Sequence, residues 1–316
     1  MSFDASLVTR LAPSPTGAQH LGNARTYLIT WLLARQRGGR VVLRIEDIDS
    51  PRVKPGAAEQ AQDDLRWLGL DWDDGPIVQS QRLALYESAL AQLQARELVY
   101  PCTCTRSDVE QAASAPHAEG VEPVYPGTCA FRRAADAEAL RDRPFAWRFR
   151  LSEPATFTDR FRGAVTLSRE EIGGDFVVWK SQRSPAYQLS VVVDDAANGV
   201  TCVVRGDDLV ASTPRQLALY SALRLPPPEF AHVPLVVGPD GRRLAKRHGD
   251  TRLSALRSAG IAPETVIGLL SWSCGWQDRI EPIAARDLIR HFALARIPPK
   301  PFVLTPELLE TIGYRG

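Results

Sequence analysis

The sequence predicts an α/β protein with a parallel sheet covered by helices on both faces. Short apolar runs alternate with helical patterns in the first hundred residues and again after residue 186, the order that a parallel sheet requires. A Pro- and Gly-rich loop, residues 12–23 (APSPTGAQHLGN), joins the first apolar run to the first helical pattern. A loop in that place can present backbone N–H groups to a phosphate.

Each element is predicted from its hydrophobic spacing and from the signals at its ends. Strands are expected at residues 7–8, 41–46, 77–78, 189–193, 200–205 and 233–237. Helices are expected at residues 24–37, 57–68, 82–96 and 213–223, the last with Ser212 or Thr213 as its cap and Pro214 in its first turn. Residues 100–186, with β patterns at 145–151 and 157–167, interrupt the alternation and are interpreted as an insertion. Short helices are expected at 263–271 and 284–291.

Composition narrows the class of protein. The 316 residues, 44% of them hydrophobic, are enough for two domains or for one large α/β domain with an insertion. We expect no membrane span and no signal peptide, hence a cytoplasmic protein, and five cysteines in such a chain argue against a disulfide framework. A net charge of +1 excludes a uniformly basic surface for nucleic acid.

A second loop suited to phosphate follows the strand predicted at 233–237. Residues 238–250 read GPDGRRLAKRHGD, and Lys246 is one of only four lysines in the chain. A lysine supplies a mobile positive charge for phosphates, although a solvated basic turn would show the same composition. In the first loop, His20 can donate to a phosphate oxygen, and Gly22 lets a nucleotide approach the backbone. Two such loops on one sheet indicate a nucleotide site.

These loops resemble the signatures of a known enzyme family. HLGN at 20–23 resembles the HIGH signature of class I aminoacyl-tRNA synthetases, and RLAKR at 243–247 resembles their KMSKS signature. The resemblance to glutamyl-tRNA synthetases extends over most of residues 7–250. It is carried by three further segments, TRLAPSPTG, LRIEDID and VVVDDAANGVTCVVRGDDLVASTPRQLALY. EDIDSPRVKPGAA, QSQR and YQLSVVVDDAANGVT resemble the shorter glutamyl-Q tRNA(Asp) synthetase branch. We expect no helical anticodon-binding domain in a chain that stops at residue 316.

The resemblance implies a Rossmann-like class I catalytic domain with a zinc-binding insertion and a small C-terminal helical subdomain. Residues 1–99 and 187–240 would form the two halves of the catalytic domain. Residues 100–186 would form the insertion that binds zinc and contacts the acceptor. Residues 241–316 would hold the KMSKS-like loop and the helical subdomain.

The resemblance also implies a reaction and the residues that perform it. The enzyme would activate glutamate with ATP, accompanied by Mg²⁺, to give glutamyl-adenylate and pyrophosphate. It would then transfer the glutamyl group to the queuosine base of tRNA(Asp). His20 and Lys246 would be catalytic by stabilising phosphate charge, and Gly22 and Asn23 would help them to bind ATP. The residues implied in glutamate binding are Arg10, Leu11, Ala12, Pro13, Ser14, Glu46, Tyr187 and Arg205.

The chemistry of glutamate supports three of these roles. Arg10 and Arg205 are strand-end arginines suited to carboxylates, and Glu46 is suited to the ammonium group. For Glu46 the alternative is a salt bridge to Arg44 or Arg52, and for Tyr187 it is core packing.

The two signatures also depart from the family pattern. Asn23 replaces the last His of HIGH, Arg243 the first Lys of KMSKS, and Ala245 and Arg247 its Ser residues. Two alternatives therefore stay open. One is a truncated glutamyl-tRNA synthetase that charges tRNA(Glu), and the other is a non-catalytic tRNA-binding paralogue. A monomer is favoured.

Three cysteines in the insertion suggest a metal. Cys102, Cys104 and Cys129 offer three thiolates, whereas structural zinc needs four ligands. Ligand chemistry alone nominates His117 as the fourth. The resemblance instead implies a CxC…YxxxC pattern, which assigns Tyr125. Three reduced cysteines without a metal are the remaining alternative.

Overall fold

The computed structural model describes residues 7–15, 17–48, 53–112, 124–151, 155–181, 184–244 and 250–315. The strands among them are β1 (Val8–Leu11), β2 (Arg40–Ile45), β3 (Asp74–Val78), β4 (Val99–Cys102), β5 (Ala146–Phe149), β6 (Ala155–Asp159), β7 (Gly163–Leu167), β8 (Phe176–Trp179), β9 (Cys202–Gly206), β10 (Glu229–Val233), β11 (Val236–Val237) and β12 (Phe302–Val303). The helices are α1 (Leu21–Gln36), α2 (Ala57–Trp67), α3 (Leu83–Ala95), α4 (Arg106–Ala112), α5 (Arg169–Ile172), α6 (Tyr187–Ala197), α7 (Ser212–Leu223), α8 (Leu253–Ser258), α9 (Pro263–Ser273) and α10 (Pro306–Thr311).

The chain divides into two compact units. The first comprises residues 1–78, 200–209 and 229–316, and the second comprises residues 79–199 and 210–228. Across the described ranges, no helix combines the length and the apolar character needed to cross a membrane.

A parallel sheet forms the centre of the first unit. β2 pairs in parallel with β1 and with β3, and β9 pairs in parallel with β10. β9 lies beside β1, because the Thr201 N–H donates to the Val8 carbonyl at 2.9 Å. The Arg10 side chain donates across the same junction to the Val204 carbonyl at 3.2 Å. The parallel α/β sheet predicted from the alternating pattern is confirmed.

Helix α1 packs on this sheet with most of its surface buried. Leu28, Ile29 and Leu32 are inaccessible to solvent, as their apolar spacing requires. Arg25 is also buried, and its guanidinium is satisfied by the Pro234 carbonyl at 2.7 Å and the Ser273 hydroxyl at 3.0 Å. One polar side chain therefore joins α1 to the end of β10 and to α9.

The second unit combines antiparallel strands with three packed helices. β4, β5 and β8 form one antiparallel sheet, and β6 and β7 form a hairpin. Helices α3, α6 and α7 contact one another. Asp194 of α6 is buried and accepts from Gln79 Nε2 (2.7 Å), Arg82 Nε (2.7 Å) and the Tyr86 hydroxyl (2.8 Å). This carboxylate fixes the start of α3 to α6.

The structure corrects several predicted elements. The strand predicted at 189–193 is wrong, because these residues lie in α6, which is buried without a break from Gln188 to Asp195. A helix buried on all sides has no amphipathic period, and its Val-rich run resembles a strand. The single strand predicted at 233–237 is interrupted. β10 ends at Val233 and β11 begins at Val236, because Pro234 has no N–H to donate to a neighbouring strand.

The structure corrects two further predictions, one of a helix cap and one of a helix length. The cap position of α7 is Ala211, so Ser212 and Thr213 already lie in the helix, and the Ser212 hydroxyl accepts from Gln188 Nε2 at 3.1 Å. The helix predicted at 284–291 is reduced to a short 3-10 turn, Ala285–Leu288. The helix and strand predictions at 24–37, 41–46, 57–68, 82–96 and 200–205 are confirmed to within a few residues.

Candidate active site

The loop after β1 ends in a reciprocal cap on α1. His20 is the cap residue, and its Nδ1 accepts from the N–H groups of Gly22 (3.1 Å) and Asn23 (3.4 Å). Asn23 Oδ1 accepts in return from the His20 N–H at 3.2 Å. Burial, followed by the charge of Arg243, lowers the pKa of His20 to about 4. The imidazole is therefore neutral at pH 7 with its proton on Nε2, a hydrogen-bond donor.

Gly22 makes room for this imidazole. A Cβ at position 22 would lie 2.9 Å from Cε1 and 3.0 Å from Nδ1 of His20, closer than carbon and nitrogen atoms pack. From the sequence, this glycine is predicted to let a nucleotide approach the backbone. In the structure, its first role is to let His20 fold back over the helix start.

The segments that flank residues 245–249 lie against the same helix start. Arg243 pairs with Asp208 at 2.9 Å on one side. On the other side, the Leu21 N–H donates to the Thr251 carbonyl at 3.1 Å, and the Leu253 N–H donates to the Gln19 carbonyl at 2.9 Å. Lys246 itself lies outside the described residues. The described residues on both sides of 245–249 are therefore held in place near His20.

The ends of β1, β2 and β9 bring two arginines and a glutamate into the first unit's sheet. Arg10, Glu46 and Arg205 are all buried. Glu46 is held by the Pro13 carbonyl, which accepts its N–H at 3.0 Å, and by Arg44, whose Nη2 lies 2.9 Å from Glu46 Oε1. The salt bridge considered as the alternative for Glu46 is thus present. It orients the carboxylate at the strand end.

Arg205 is fixed by two aromatic residues of β10. His232 is its register partner across the parallel ladder, and Arg205 Nε donates to His232 Nε2 at 2.9 Å. The guanidinium also lies 5.1 Å from the ring centre of Phe230. His232 is not predictable from the sequence, because a single histidine in an apolar strand gives no pattern.

A buried polar pair that the sequence pattern does not reveal, Gln19 and Tyr27, supports the segment at Ser14. The Tyr27 hydroxyl donates to Gln19 Oε1 at 2.9 Å, and Gln19 Nε2 donates to the Ser14 carbonyl at 3.4 Å. The pKa of Tyr27 is raised, first by burial and then by the nearby Glu46. Tyr27 and Glu46 are therefore close enough to interact electrostatically. Leu11 and Pro13 are buried, whereas Ala12 and Ser14 are partly exposed.

Tyr187 belongs to the second unit. It is the first residue of α6 and is partly exposed, and its carbonyl accepts from the Ser190 hydroxyl at 3.1 Å. It is therefore not a fully packed core residue.

The second unit also gathers the three insertion cysteines. The Sγ atoms of Cys102, Cys104 and Cys129 lie within 4.8 Å of one another, and those of Cys104 and Cys129 are 3.7 Å apart. A tetrahedral zinc site with Zn–S bonds of about 2.3 Å separates two sulfurs by about 3.8 Å. The Tyr125 hydroxyl lies 3.3 Å from the Cys102 sulfur and 3.8 Å from the Cys104 sulfur, so it stands where a fourth ligand would be. His117 lies outside the described residues.

Cationic groups surround this cluster. Arg148 Nε lies 3.3 Å from the Cys102 sulfur, and Arg132 Nη1 lies 3.3 Å from the Cys129 sulfur. Hydrogen bonds, chiefly from the Thr103 backbone, outweigh burial and lower the pKa of Cys129 to about 7, whereas burial raises the pKa of Cys104 to about 11. The Cys129 thiol therefore ionises more readily than an ordinary cysteine. The donor set fits a thiolate-preferring metal.

Known proteins share this architecture. The family model described as tRNA synthetases class I (E and Q), catalytic domain, matches residues 6–305. The chain belongs to this family. A relative of this synthetase from Rhodopirellula baltica, named glutamyl-Q tRNA(Asp) synthetase, is 56% identical over 283 residues, which is 86% of each chain. One of the same name from Symbiobacterium thermophilum is 50% identical over 97% of this chain and 98% of its own.

Longer relatives match as well. A glutamate–tRNA ligase from Geobacter sulfurreducens is 41% identical over 96% of this chain and 65% of its own. The crystal structure of a glutamate tRNA ligase from Elizabethkingia meningosepticum, in complex with its amino acid, superposes with a TM-score of 0.82 at 26% identity. That match covers 98% of this chain and 69% of the ligase. The family and the fold predicted from the HLGN and RLAKR texts are therefore confirmed.

Proposed function

We propose that this synthetase activates L-glutamate with ATP and transfers the glutamyl group to the queuosine base of tRNA(Asp). The observation that carries the proposal is the order of the similarities. Relatives named for this reaction are 56% and 50% identical, whereas the glutamate–tRNA ligase is 41% identical. The proposed setting is the cytoplasm, with the enzyme acting as a monomer.

Glutamate carries two carboxylates and one ammonium group, and the first unit offers a partner for each. Arg10 and Arg205 would bind the carboxylates, because guanidinium groups form charge-assisted hydrogen bonds to them. Glu46, oriented by Arg44, would bind the ammonium group. Ala12 and Ser14 are the partly exposed members of the loop that would line the pocket. Tyr187 is also proposed for glutamate binding, on the sequence resemblance alone.

ATP would bind at the start of α1. The neutral His20 would donate from Nε2 to a phosphate oxygen, while its Nδ1 stays engaged in the cap. Lys246, from the loop anchored on both sides, would add a mobile positive charge. The Gly22 and Asn23 N–H groups are occupied by His20, so their proposed contribution is to hold the imidazole in place. Mg²⁺ is the expected companion of ATP and would neutralise phosphate charge.

The activation step then needs no covalent enzyme nucleophile. A glutamate carboxylate oxygen forms a bond to the α-phosphorus of ATP, the bond from that phosphorus to the bridging oxygen breaks, and pyrophosphate leaves with the electron pair. The products are glutamyl-adenylate and pyrophosphate. His20 and Lys246 stabilise the negative charge that builds up on the phosphate oxygens, which is worth about 10²–10³ in rate for one such donor.

We further propose that Cys102, Cys104, Tyr125 and Cys129 hold a structural zinc ion. The sulfur and oxygen separations fit a tetrahedral site, and two arginines favour the ionised thiols. When bound, zinc would cross-link the end of β4 and the residues just after it, which supply Cys102 and Cys104, to the segment that carries Tyr125 and Cys129. This stabilisation matters because metal binding adds directly to folding free energy.

The activation step is tested by ATP–pyrophosphate exchange with glutamate, glutamine and aspartate in parallel. Exchange with glutamate alone supports the proposed reaction and pocket. No exchange with any of the three would instead support a non-catalytic tRNA-binding paralogue. The matched variants are Arg205→Lys, which keeps the charge but loses the planar fork, and Glu46→Gln, which removes the partner of the ammonium group. Both should raise the KM for glutamate more than the KM for ATP.

The acceptor is tested by glutamate transfer to purified tRNA(Asp) with and without queuosine. Labelled glutamate should appear only on the queuosine-containing tRNA, and its linkage should survive removal of the 3′ end. Transfer to the 3′ end of tRNA(Glu) at the same rate would reject the proposed acceptor and favour a glutamyl-tRNA synthetase.

A further inference from the structure

The pair formed by Arg205 and His232 is buried and directional. Arg205 lies on β9 and His232 on β10, and the two residues face each other in the parallel register. Arg205 Nε lies 2.9 Å from His232 Nε2, and His232 is inaccessible to solvent. A guanidinium can only donate, so the imidazole must accept through an unprotonated Nε2. The histidine therefore serves this arginine as a neutral acceptor.

Phe230 fixes the planes of both groups. Its ring lies 6.2 Å from that of His232 with an angle of 12° between the planes, and 5.1 Å from the Arg205 guanidinium. Arg205 Nη2 makes a longer contact of 3.4 Å to the Leu209 carbonyl. The arginine is thus held by a hydrogen bond at Nε and by an aromatic face.

A carboxylate can meet a guanidinium side-on, through Nε and one Nη, or end-on, through both Nη groups. Because His232 takes the Nε–H, the side-on mode is blocked at Arg205. We propose that His232 is a positioning residue that restricts Arg205 to binding a glutamate carboxylate through its Nη groups. This inference rests on the proposed function, since it assigns Arg205 to glutamate.

The role makes His232 a determinant of amino-acid selection, although the histidine does not touch the amino acid. A fixed Nη edge accepts a carboxylate at one depth of the pocket and in one plane. Glutamine offers an amide with two N–H donors that would face the guanidinium, and aspartate is shorter by one methylene. If Arg205 is held less firmly, glutamate binding should weaken. The preference for glutamate over glutamine and over aspartate should then fall.

Three substitutions separate this role from simple packing. His232→Gln places Oε1 close to the position of Nε2 and keeps an acceptor. His232→Asn places its acceptor near Nδ1, too short to reach Arg205, and His232→Leu has none. For each, glutamate-dependent ATP–pyrophosphate exchange gives the KM for glutamate, the KM for ATP and kcat, and thermal unfolding reports folding.

We expect the KM for glutamate to rise by about 10- to 100-fold in His232→Leu, the effect of losing one charged hydrogen bond. His232→Asn should behave like His232→Leu, whereas His232→Gln should stay within about threefold of the unmodified protein. The KM for ATP should not change. The ratio of kcat/KM for glutamate over glutamine should fall in His232→Leu and recover in His232→Gln.

An unchanged KM for glutamate in a folded His232→Leu variant would overturn the positioning role. So would equal damage in His232→Gln and His232→Leu, or a rise in the KM for ATP that matches the rise for glutamate. The unmodified protein separates this failure from a failure of the proposed function. If the unmodified protein catalyses exchange and the KM for glutamate is unchanged in His232→Leu, only the positioning role is rejected. If the unmodified protein catalyses no exchange, the proposed function is rejected together with the positioning role.

Discussion

His20 and Asn23 cap each other at the start of α1, the imidazole Nδ1 accepting from the Asn23 N–H and the Asn23 side chain accepting from the His20 N–H at 3.2 Å. Asn23 stands where the family signature has a second histidine. The departure from HIGH therefore does not leave a gap. It supplies the acceptor of a capping box that orients the remaining histidine.

Asn23→Ala should lower the free energy of unfolding by about 1 kcal/mol, because the cap of α1 loses one of its three hydrogen bonds. Exchange should fall by about fivefold if the same energy orients His20 in the transition state. Asn23→Asp is the matched control: it keeps the acceptor and the stability, but its charge should repel phosphates and slow exchange. Denaturant unfolding and exchange kinetics measure the two effects. An Asn23→Ala protein as stable as the parent would contradict the cap.

Acid should destabilise the protein through His20. Its pKa is about 4 in the folded state and 6.5 in a solvated reference, so between these values the unfolded chain binds a proton that the folded chain does not. Stability is then complete above pH 6.5 and is lost as the pH falls towards 4, by at most about 3 kcal/mol. His20→Asn keeps a capping acceptor without a titratable group. The difference in unfolding free energy between the two proteins should change over this window, and a constant difference would refute the shift.

Zinc should bind at about one ion per chain and require the three thiols. Elemental analysis after mild chelation should find the metal in the parent and in Cys202→Ala, whose cysteine lies outside the cluster, but not in Cys129→Ser. Tyr125→Phe should bind zinc more weakly than His117→Ala if the phenol is the fourth ligand. A parent protein with less than about 0.2 zinc ions per chain would exclude the metal.

Asp194 should be among the most sensitive positions of the second unit. Asp194→Ala would remove the acceptor shared by Gln79, Arg82 and Tyr86, and the loss of one partner from a buried ion pair costs about 3–5 kcal/mol. Tyr86→Phe removes only one donor and should cost about 1–2 kcal/mol. Chemical denaturation gives both values. An equal loss of unfolding free energy in the two variants would show that the charge of Asp194 does not dominate the stability of this group of side chains.

The sequence was most informative where local patterns decide structure. The first helix, its flanking strands and the arginines at strand ends followed from apolar spacing and from the position of polar residues at the end of an apolar run. The nucleotide loops were predicted because Gly, Pro and basic residues cluster between elements.

The misread features depend on partners that are distant in the chain. Helix α6 was misread as a strand because burial on every side removes its period. His232 gave no signal, since its function depends on Arg205, 27 residues earlier, and on a register that only the folded sheet provides. The pair of Gln19 and Tyr27 was missed for the same reason, because neither residue belongs to a recognised pattern.

Gly22 changes how the short signature at residues 20–23 should be understood. The space left by its missing side chain is filled by the His20 imidazole, so the glycine and the histidine form one packing unit. An alanine at position 22 would therefore displace the His20 imidazole, the side chain that we propose to be catalytic. We therefore expect a substitution that suppresses this damage to arise at position 20 or at a residue beside it.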